Sequence, residues 1–289
     1  MNKIIIYGIG TLGKLVVRKL LDNPKYEIVA LADKNLGEYE GFNIIQPMDI
    51  LSERYDEILI AVYEYDMAQE IYSELRELGI NFASIKVLYY DPDFIEFFSD
   101  QRSEFIRGCA EYIIASGIPG CVAECGVYRG DSAKYINKYF TNRKLYLFDT
   151  SESFDAGDYE AELARNGDAF NSKSFSQGVF SNTSIEIVLS KMSYRENIVF
   201  KVGRFPETAF DIDEKFCFVN LDMDLYKPMF DGLEFFCSKM SDGGVILLHD
   251  YFSNGLVGVK EAVNDFESAT GERLRKMPIG DGSSLAIVF

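Results

Sequence analysis

The sequence predicts an α/β chain made of two doubly wound, mostly parallel sheets, and three observations predict it. Short apolar runs alternate with helical patterns along the whole chain, as a parallel sheet wrapped by helices requires. Two of those runs end in glycine-rich turns that open a helix, Gly8-Ile9-Gly10-Thr11-Leu12-Gly13 and Gly126-Val127-Tyr128-Arg129-Gly130. A length of 289 residues suggests about two domains.

Residues 3–7 are a near-continuous apolar strand, and the first glycine turn leads into a helix to about Leu21. A second strand over 28–32 ends in Asp33, about 20 residues past Gly13, the full context of a dinucleotide fingerprint. A strand over 57–62 and a helix over 67–78 follow. Residues 1–90 are expected to form a small Rossmann-like unit of about four strands. Gly8, Gly10, Gly13 and Asp33 are its candidate contacts for a nucleotide or NAD. NAD-dependent chemistry would also need a catalytic acid or base, and this unit offers neither a Tyr-x-x-x-Lys nor a histidine.

Residues 91–102 lose periodicity, carry Pro92 and acids such as Asp93, and read as a linker. An apolar stripe at i, i+3/i+4 spacing over 103–116 gives a helix, stopped by Gly117-Ile118-Pro119-Gly120. The strand over 121–125 delivers Glu124 to its carboxyl end, the edge where open α/β sheets bind ligands. Gly126 and Gly130 let the chain turn and a ligand approach it, and Ser132 opens the next helix. Glu124 separates two cofactors. An acid there repels the pyrophosphate of a dinucleotide but attracts S-adenosylmethionine (AdoMet), which carries an ammonium and a sulfonium. A strand–turn–helix corner with a solvated glutamate is the plain alternative.

A helix over 131–140 precedes the strand 144–149, whose terminal Asp149 suits a ribose diol or a helix N-cap. Residues 151–182 are polar, interrupted by Phe154, Tyr159, Phe170, Phe175 and Phe180, and too long for an ordinary connection. They read as a lid or substrate-binding excursion whose aromatics either stack on a sugar or pin the loop. A helix over 184–192 and a strand over 197–203 come next. The strand over 216–221 ends in Asp222 and Asp224, and the one over 245–248 ends in His249 and Asp250. Neighbouring parallel strands would gather these four on one rim, where a divalent cation relieves their repulsion. Caps at Asp224 and Asp250 are the alternative. A helix over 259–269 and strands near 274–279 and 284–289 finish the chain, the last two joined antiparallel by the short turn 280–283.

A formal charge of −17 and a pI near 4.5 argue against nucleic acid and anionic membranes as partners. No apolar run approaches the ~20 residues of a spanning helix, and the N-terminus does not read as a signal peptide. Five cysteines without CxxC spacing fit a reduced, cytoplasmic chain. A single histidine, His249, excludes any mechanism that needs two.

Residues 103–289 resemble the macrocin O-methyltransferase (TylF-type) family through the stretches AECGVYRGDSAKYI, LYLFDTSESF, FSNTSIEIVLSKM, VNLDMDLYKPMFDGLEFF and GGVILLHDY. The resemblance implies a class I methyltransferase sheet with one antiparallel strand, dependence on AdoMet and a divalent metal (Mg or Mn), and a sugar hydroxyl as acceptor. It implies that Glu124, Tyr128 and Ser132 contact the methionine part of AdoMet, that Asp149 takes the ribose, and that Gly203 and Arg204 line the adenine side. Asp222, His249 and Asp250 occupy the metal-ligand positions; the family often has Asp where His249 stands, and imidazole suits Mn, Fe, Zn or Ni better than Mg. Asp224 and His249 are the general-base candidates. Residues 1–90 resemble the Rossmann-like module found beside sugar-modifying enzymes of polysaccharide pathways, which holds a nucleotide or nucleotide-sugar or serves as a packing and dimerisation module. A small-molecule or sugar substrate is the expected partner, and homo-oligomerisation stays open. The rival readings are an NAD-dependent nucleotide-sugar oxidoreductase or epimerase built on the first glycine turn, and a non-catalytic ligand-sensing scaffold.

Overall fold

A computed structural model describes residues 1–91, 94, 97–166 and 180–289. The expectations placed on Pro92, Asp93, Phe170 and Phe175 lie outside the described residues. The chain divides into two compact units, Met1–Phe98 and Ser99–Phe289.

The first unit runs β1 (Asn2–Tyr7), α1 (Thr11–Leu20), β2 (Tyr26–Ala32), β3 (Gly37–Tyr39), β4 (Phe42–Ile45), β5 (Glu57–Ile60), α2 (Tyr65–Glu77) and β6 (Ile85–Val87). Its sheet has six strands in the order β3-β4-β2-β1-β5-β6, rather than about four. The unforeseen pair is the edge hairpin β3–β4, whose antiparallel strands turn at Glu40 (φ 50°) and Gly41 (φ 82°). Strands of three and four residues carry too little alternation to register as a pattern, and only the two-residue turn betrays them. Central β1 is buried on both faces: Ile4, Ile5 and Ile6 are fully inaccessible, each contributing about 1.5–3 kcal/mol of burial. Phe94 belongs to this core, with Phe97 and Phe98 packed against it. Part of the stretch expected as linker thus folds with the first unit.

The second unit runs α3 (Gln101–Ala115), β7 (Cys121–Cys125), α4 (Ala133–Tyr139), β8 (Leu145–Asp149), α5 (Ala156–Asn166), α6 (Ile185–Ser190), β9 (Ile198–Val202), β10 (Phe216–Leu221), α7 (Tyr226–Cys237), β11 (Met240–Leu248), α8 (Val257–Thr270), β12 (Arg275–Pro278) and β13 (Leu285–Val288). Strand order is β12-β13-β11-β10-β7-β8-β9, with β13 antiparallel to both neighbours. This is the mixed Rossmann-like sheet expected of the C-terminal half.

Alternation along the strands sorts the residues onto two faces. Ala123, Cys125, Val219, Leu221, Phe148 and Phe236 belong to one apolar core with residues of α7 and α8. Glu124 and Asn220, paired in register across β7 and β10, therefore point to the other face, away from that core. Helix α3 packs against α4. It starts earlier than its apolar stripe suggests, because Asp100 caps it: Ser103 N donates to Asp100 Oδ1 at 2.8 Å, and Asp100 N donates back to Ser103 Oγ at 2.7 Å. The described part of the polar excursion contains α5, whose buried Glu162 accepts from Tyr226 N at 2.7 Å and so caps α7.

Candidate active site

Five strands of the second sheet end on one edge and enclose a cleft of about 340 Å³. Glu124, Gly126, Tyr128 and Ser132 reach it from the β7 end and Asp149 from β8. Gly203 and Arg204 follow β9, Asp222 and Asp224 follow β10, and His249 and Asp250 follow β11. The expected site residues are thus brought together, with one exception. Gly130 does not line the cleft. A Cβ there would lie 3.0 Å from Val188 and 3.1 Å from Met192 of the α6 region, so its glycine serves packing.

Gly126 also has a different reason from the expected one. At φ +82°, its Cβ would stand 1.9 Å from the carbonyl oxygen of Asp222. The close approach is by the end of β10, which Asp222 N fixes by donating to Cys125 O at 2.9 Å. Tyr128, Asp224 and Asp250 hold positive φ of 48°, 59° and 58°. Such strain persists only where the surroundings enforce it, and here it turns each chain end along the cleft rim.

Glu124 is 1% exposed. Its Oε1 accepts from Asn220 Nδ2 at 2.7 Å, while Oε2 has no hydrogen-bond partner among the described residues. Burial, reinforced by the Asp222 carboxylate, pushes its pKa up to about 8. Beside it, burial opposes ionisation of Asp222, but Arg102 and His249 outweigh that and hold it below the usual carboxylate range. Arg102 Nη1 donates to Asp222 Oδ2 at 3.0 Å and Nη2 donates to Ser132 Oγ.

His249 Nδ1 lies 2.9 Å from Asp222 Oδ1 and 2.9 Å from Asp250 Oδ2, yet is aligned for a hydrogen bond with neither. Burial disfavours its charged form, but the two carboxylates prevail and raise it to about 10. Among the described residues, these three donors could hold a metal ion. The 2.9 Å spacing matches adjacent donors each about 2.1 Å from a common ion. Asp224 is driven well above its ordinary value by burial and by Asp222 and Asp250.

Other residues are more tightly committed. Asp149 Oδ2 accepts from Val127 N at 2.7 Å and Tyr128 N at 2.8 Å, and Oδ1 accepts from Ser151 N at 2.6 Å. It ties β8 to the turn after β7. Arg204 clasps Asp158 through Nε at 2.9 Å and Nη2 at 2.8 Å, with Nη1 on Glu207. Asp131 lines the cleft and accepts from Lys191 Nζ at 2.6 Å; burial lowers that ammonium to about 8. Phe154 and Phe180 line the cleft and meet edge to face at 5.3 Å, Phe154 stacks on Tyr159 at 6.2 Å, and Phe180 meets Tyr128 at 5.1 Å. These aromatics of the excursion pack on one another.

Residues 94–277 match the family profile of the macrocin-O-methyltransferase, TylF. The chain belongs to that family. Residues 1–86 match a second profile, the N-terminal domain of C2185-like proteins. A 4'-O-methyltransferase of 8-demethyl-8-(2,3-dimethoxy-α-L-rhamnosyl)-tetracenomycin C from Streptomyces olivaceus is 24% identical over 187 residues, 59% of this chain and 67% of that protein. The mycinamicin III 3''-O-methyltransferase of Micromonospora griseorubida is 25% identical over 186 residues, 59% of this chain and 69% of that protein. The solved O-methyltransferase NovP shares the fold, with a TM-score of 0.52 at 23% identity over 65% of this chain and 79% of its own. As a member of the macrocin O-methyltransferase family, the protein is an AdoMet-dependent O-methyltransferase. No helix among the described residues is long and apolar enough to cross a membrane.

Two features of this family member escaped the sequence. Arg102 was hidden in the expected linker, and the Asp100–Ser103 capping box was the signal for it. Asp131, and the lysine that holds it, come from elements far apart in sequence.

In the first unit, Gly13 is required because its Cβ would lie 1.9 Å from Gly8 O, whereas Gly10 faces open space. Gly8, at φ +96°, sits against Val62 and Ala61. Asp33 Oδ2 accepts from Ile9 N at 2.7 Å and Oδ1 from Asn35 N at 2.8 Å. Asp33 thus ties the glycine turn to β2 as Asp149 does in the second sheet.

Proposed function

We propose that the enzyme methylates a sugar hydroxyl, on a glycosylated small molecule or a polysaccharide precursor, with a divalent cation held by Asp222, His249 and Asp250. The observation that carries the reading is Glu124: a buried carboxyl whose Oε2 has no partner among the described residues, opening on the same cleft as the three convergent donors. An ammonium fits the first group and a cation the second. The acceptor class rests on the two curated relatives, which are named for 4'-O-methylation of a rhamnosyl tetracenomycin and 3''-O-methylation of mycinamicin III.

When bound, AdoMet supplies a methyl group on a sulfonium, and a divalent ion supplies charge that lowers the pKa of an acceptor hydroxyl. The rest falls to the chain. Glu124 holds the ammonium, and the remaining lone pairs of Asp149 orient the ribose. Asp222, His249 and Asp250 would hold such an ion, His249 through a neutral Nδ1. Asp224, whose carboxyl is raised by burial and by the neighbouring Asp222 and Asp250, would be the group placed to take the hydroxyl proton. Phe154 and Phe180 line the side of the cleft beyond Tyr128 and exclude water there. In the first unit, the open space at Gly10 suits a phosphate group against the start of α1, and a nucleotide is the ligand class we assign to it.

Enzyme stripped with a chelator and reloaded with Mn²⁺ or Mg²⁺ should transfer label from AdoMet to rhamnosylated acceptors only after reloading. His249→Ala and Asp250→Asn should lower kcat at least about 100-fold, while the Kd for S-adenosylhomocysteine (AdoHcy) stays within about threefold. Transfer that ignores both the chelator and the substitutions would overturn the metal assignment.

A further inference from the structure

We propose that Arg102 is the receptor for the carboxylate of AdoMet's amino-acid end, and that it accepts this carboxylate in exchange for Asp222. The inference rests on the cleft being the AdoMet site, with Glu124 as its ammonium contact.

The amino-acid end of AdoMet is a zwitterion, so an acid for its ammonium is half of a complementary site. The other half must be a donor of opposite charge a few ångströms away. The cleft is poor in such groups. Among the described residues, nine Asp and Glu side chains line it against two arginines and His249, so an anion entering it meets mostly acids. Arg204 has its fork spent on Asp158 and Glu207. His249 stands between Asp222 and Asp250. Among the described residues that line the cleft, Arg102 is the remaining cation.

Its placement follows from the fold. Glu124 and Asn220 point to the sheet face away from the main apolar core, and Arg102 and Ser132 open α3 and α4, which pack together. The guanidinium holds Ser132 Oγ with Nη2 and Asp222 Oδ2 with Nη1 at 3.0 Å. The Arg102 side chain is 18% exposed, so its charge-assisted bonds act with little screening. A guanidinium has five N–H donors in a planar fork suited to a bidentate carboxylate. Arg102 can therefore keep Ser132, turn Nη1 from Asp222 to the ligand carboxylate, and hold the ligand beside Glu124. Asp222 Oδ2 is released toward His249 and Asp250 in the same movement.

The test compares two adenosine ligands on the full-length enzyme by equilibrium calorimetry. AdoHcy carries the carboxylate and ammonium; 5'-methylthioadenosine carries neither. For Arg102→Gln we expect AdoHcy to weaken about ten- to a hundredfold and methylthioadenosine to change less than about threefold. Arg102→Lys, which keeps the charge but loses the fork, should fall between wild type and Arg102→Gln for AdoHcy. An equal loss of both ligands in both variants would overturn the proposal and make Arg102 a structural support. Unchanged AdoHcy affinity would also overturn it and assign the carboxylate to the backbone amides of the turn before α4. Failure of wild-type enzyme to bind AdoHcy would instead overturn the reading of the cleft on which the proposal stands.

Discussion

Glu124 must lose a proton before it can hold an ammonium. Its carboxyl is raised from about 4.5 to about 8 by burial and by Asp222, so the folded enzyme binds a proton that the unfolded chain releases across that interval. Stability from this group is fully present below about pH 4.5 and is lost as pH rises toward 8. Ligand binding runs the other way. Between about pH 6 and about pH 7.5, below the titration of the ligand's own amino group, AdoHcy affinity should rise with pH. Glu124→Gln should flatten that rise, weaken AdoHcy by at least about tenfold, and lessen the loss of stability with pH seen in denaturant unfolding. A slope unchanged by Glu124→Gln would assign the pH dependence to another group. Most of these acids were legible in the sequence because each closes an apolar run. Their protonation states were not, since those depend on residues brought together from separate strands.

At the scale of elements, the site is made by how strands end. Asp222 N on Cys125 O and His249 N on Leu221 O, both at 2.9 Å, lock the ends of β7, β10 and β11 side by side. Gly126→Ala would put a methyl group 1.9 Å from Asp222 O at a positive φ. It should destabilise the second unit by more than about 3 kcal/mol in denaturant unfolding, against about 1–2 kcal/mol for Gly271→Ala, which shares a positive φ (+71°) but whose added methyl would meet nothing within 4 Å. Comparable losses for the two would mean that only backbone freedom matters. The glycine pattern announced this turn, but not that a neighbouring strand, rather than a ligand, fills the space. Helix α3 shows the converse. Its start depends on a two-residue cap instead of the apolar stripe, so Arg102 fell within a stretch that reads as linker.

For the whole molecule, two Rossmann-like sheets follow one another, each tying its glycine turn to the next strand by an aspartate, Asp33 in one and Asp149 in the other. The fold class could be read from periodicity because central strands such as β10, buried over all six residues, are unmistakable. The β3–β4 edge hairpin was too short to read. Gly13→Ala, with its Cβ 1.9 Å from Gly8 O, should destabilise the first unit while leaving AdoHcy affinity within about twofold; a larger change, read by calorimetry, would mean the first unit shapes the cofactor cleft. The central claim is that the acid-lined edge of the second sheet takes an adenosyl ligand at Glu124 beside a metal at Asp222, His249 and Asp250. Its most direct test is anomalous diffraction from crystals grown with AdoHcy and Mn²⁺. The account predicts a manganese peak bonded to those three side chains, with the ligand's ammonium on Glu124. Manganese bound elsewhere, or AdoHcy density absent from this cleft, would contradict it.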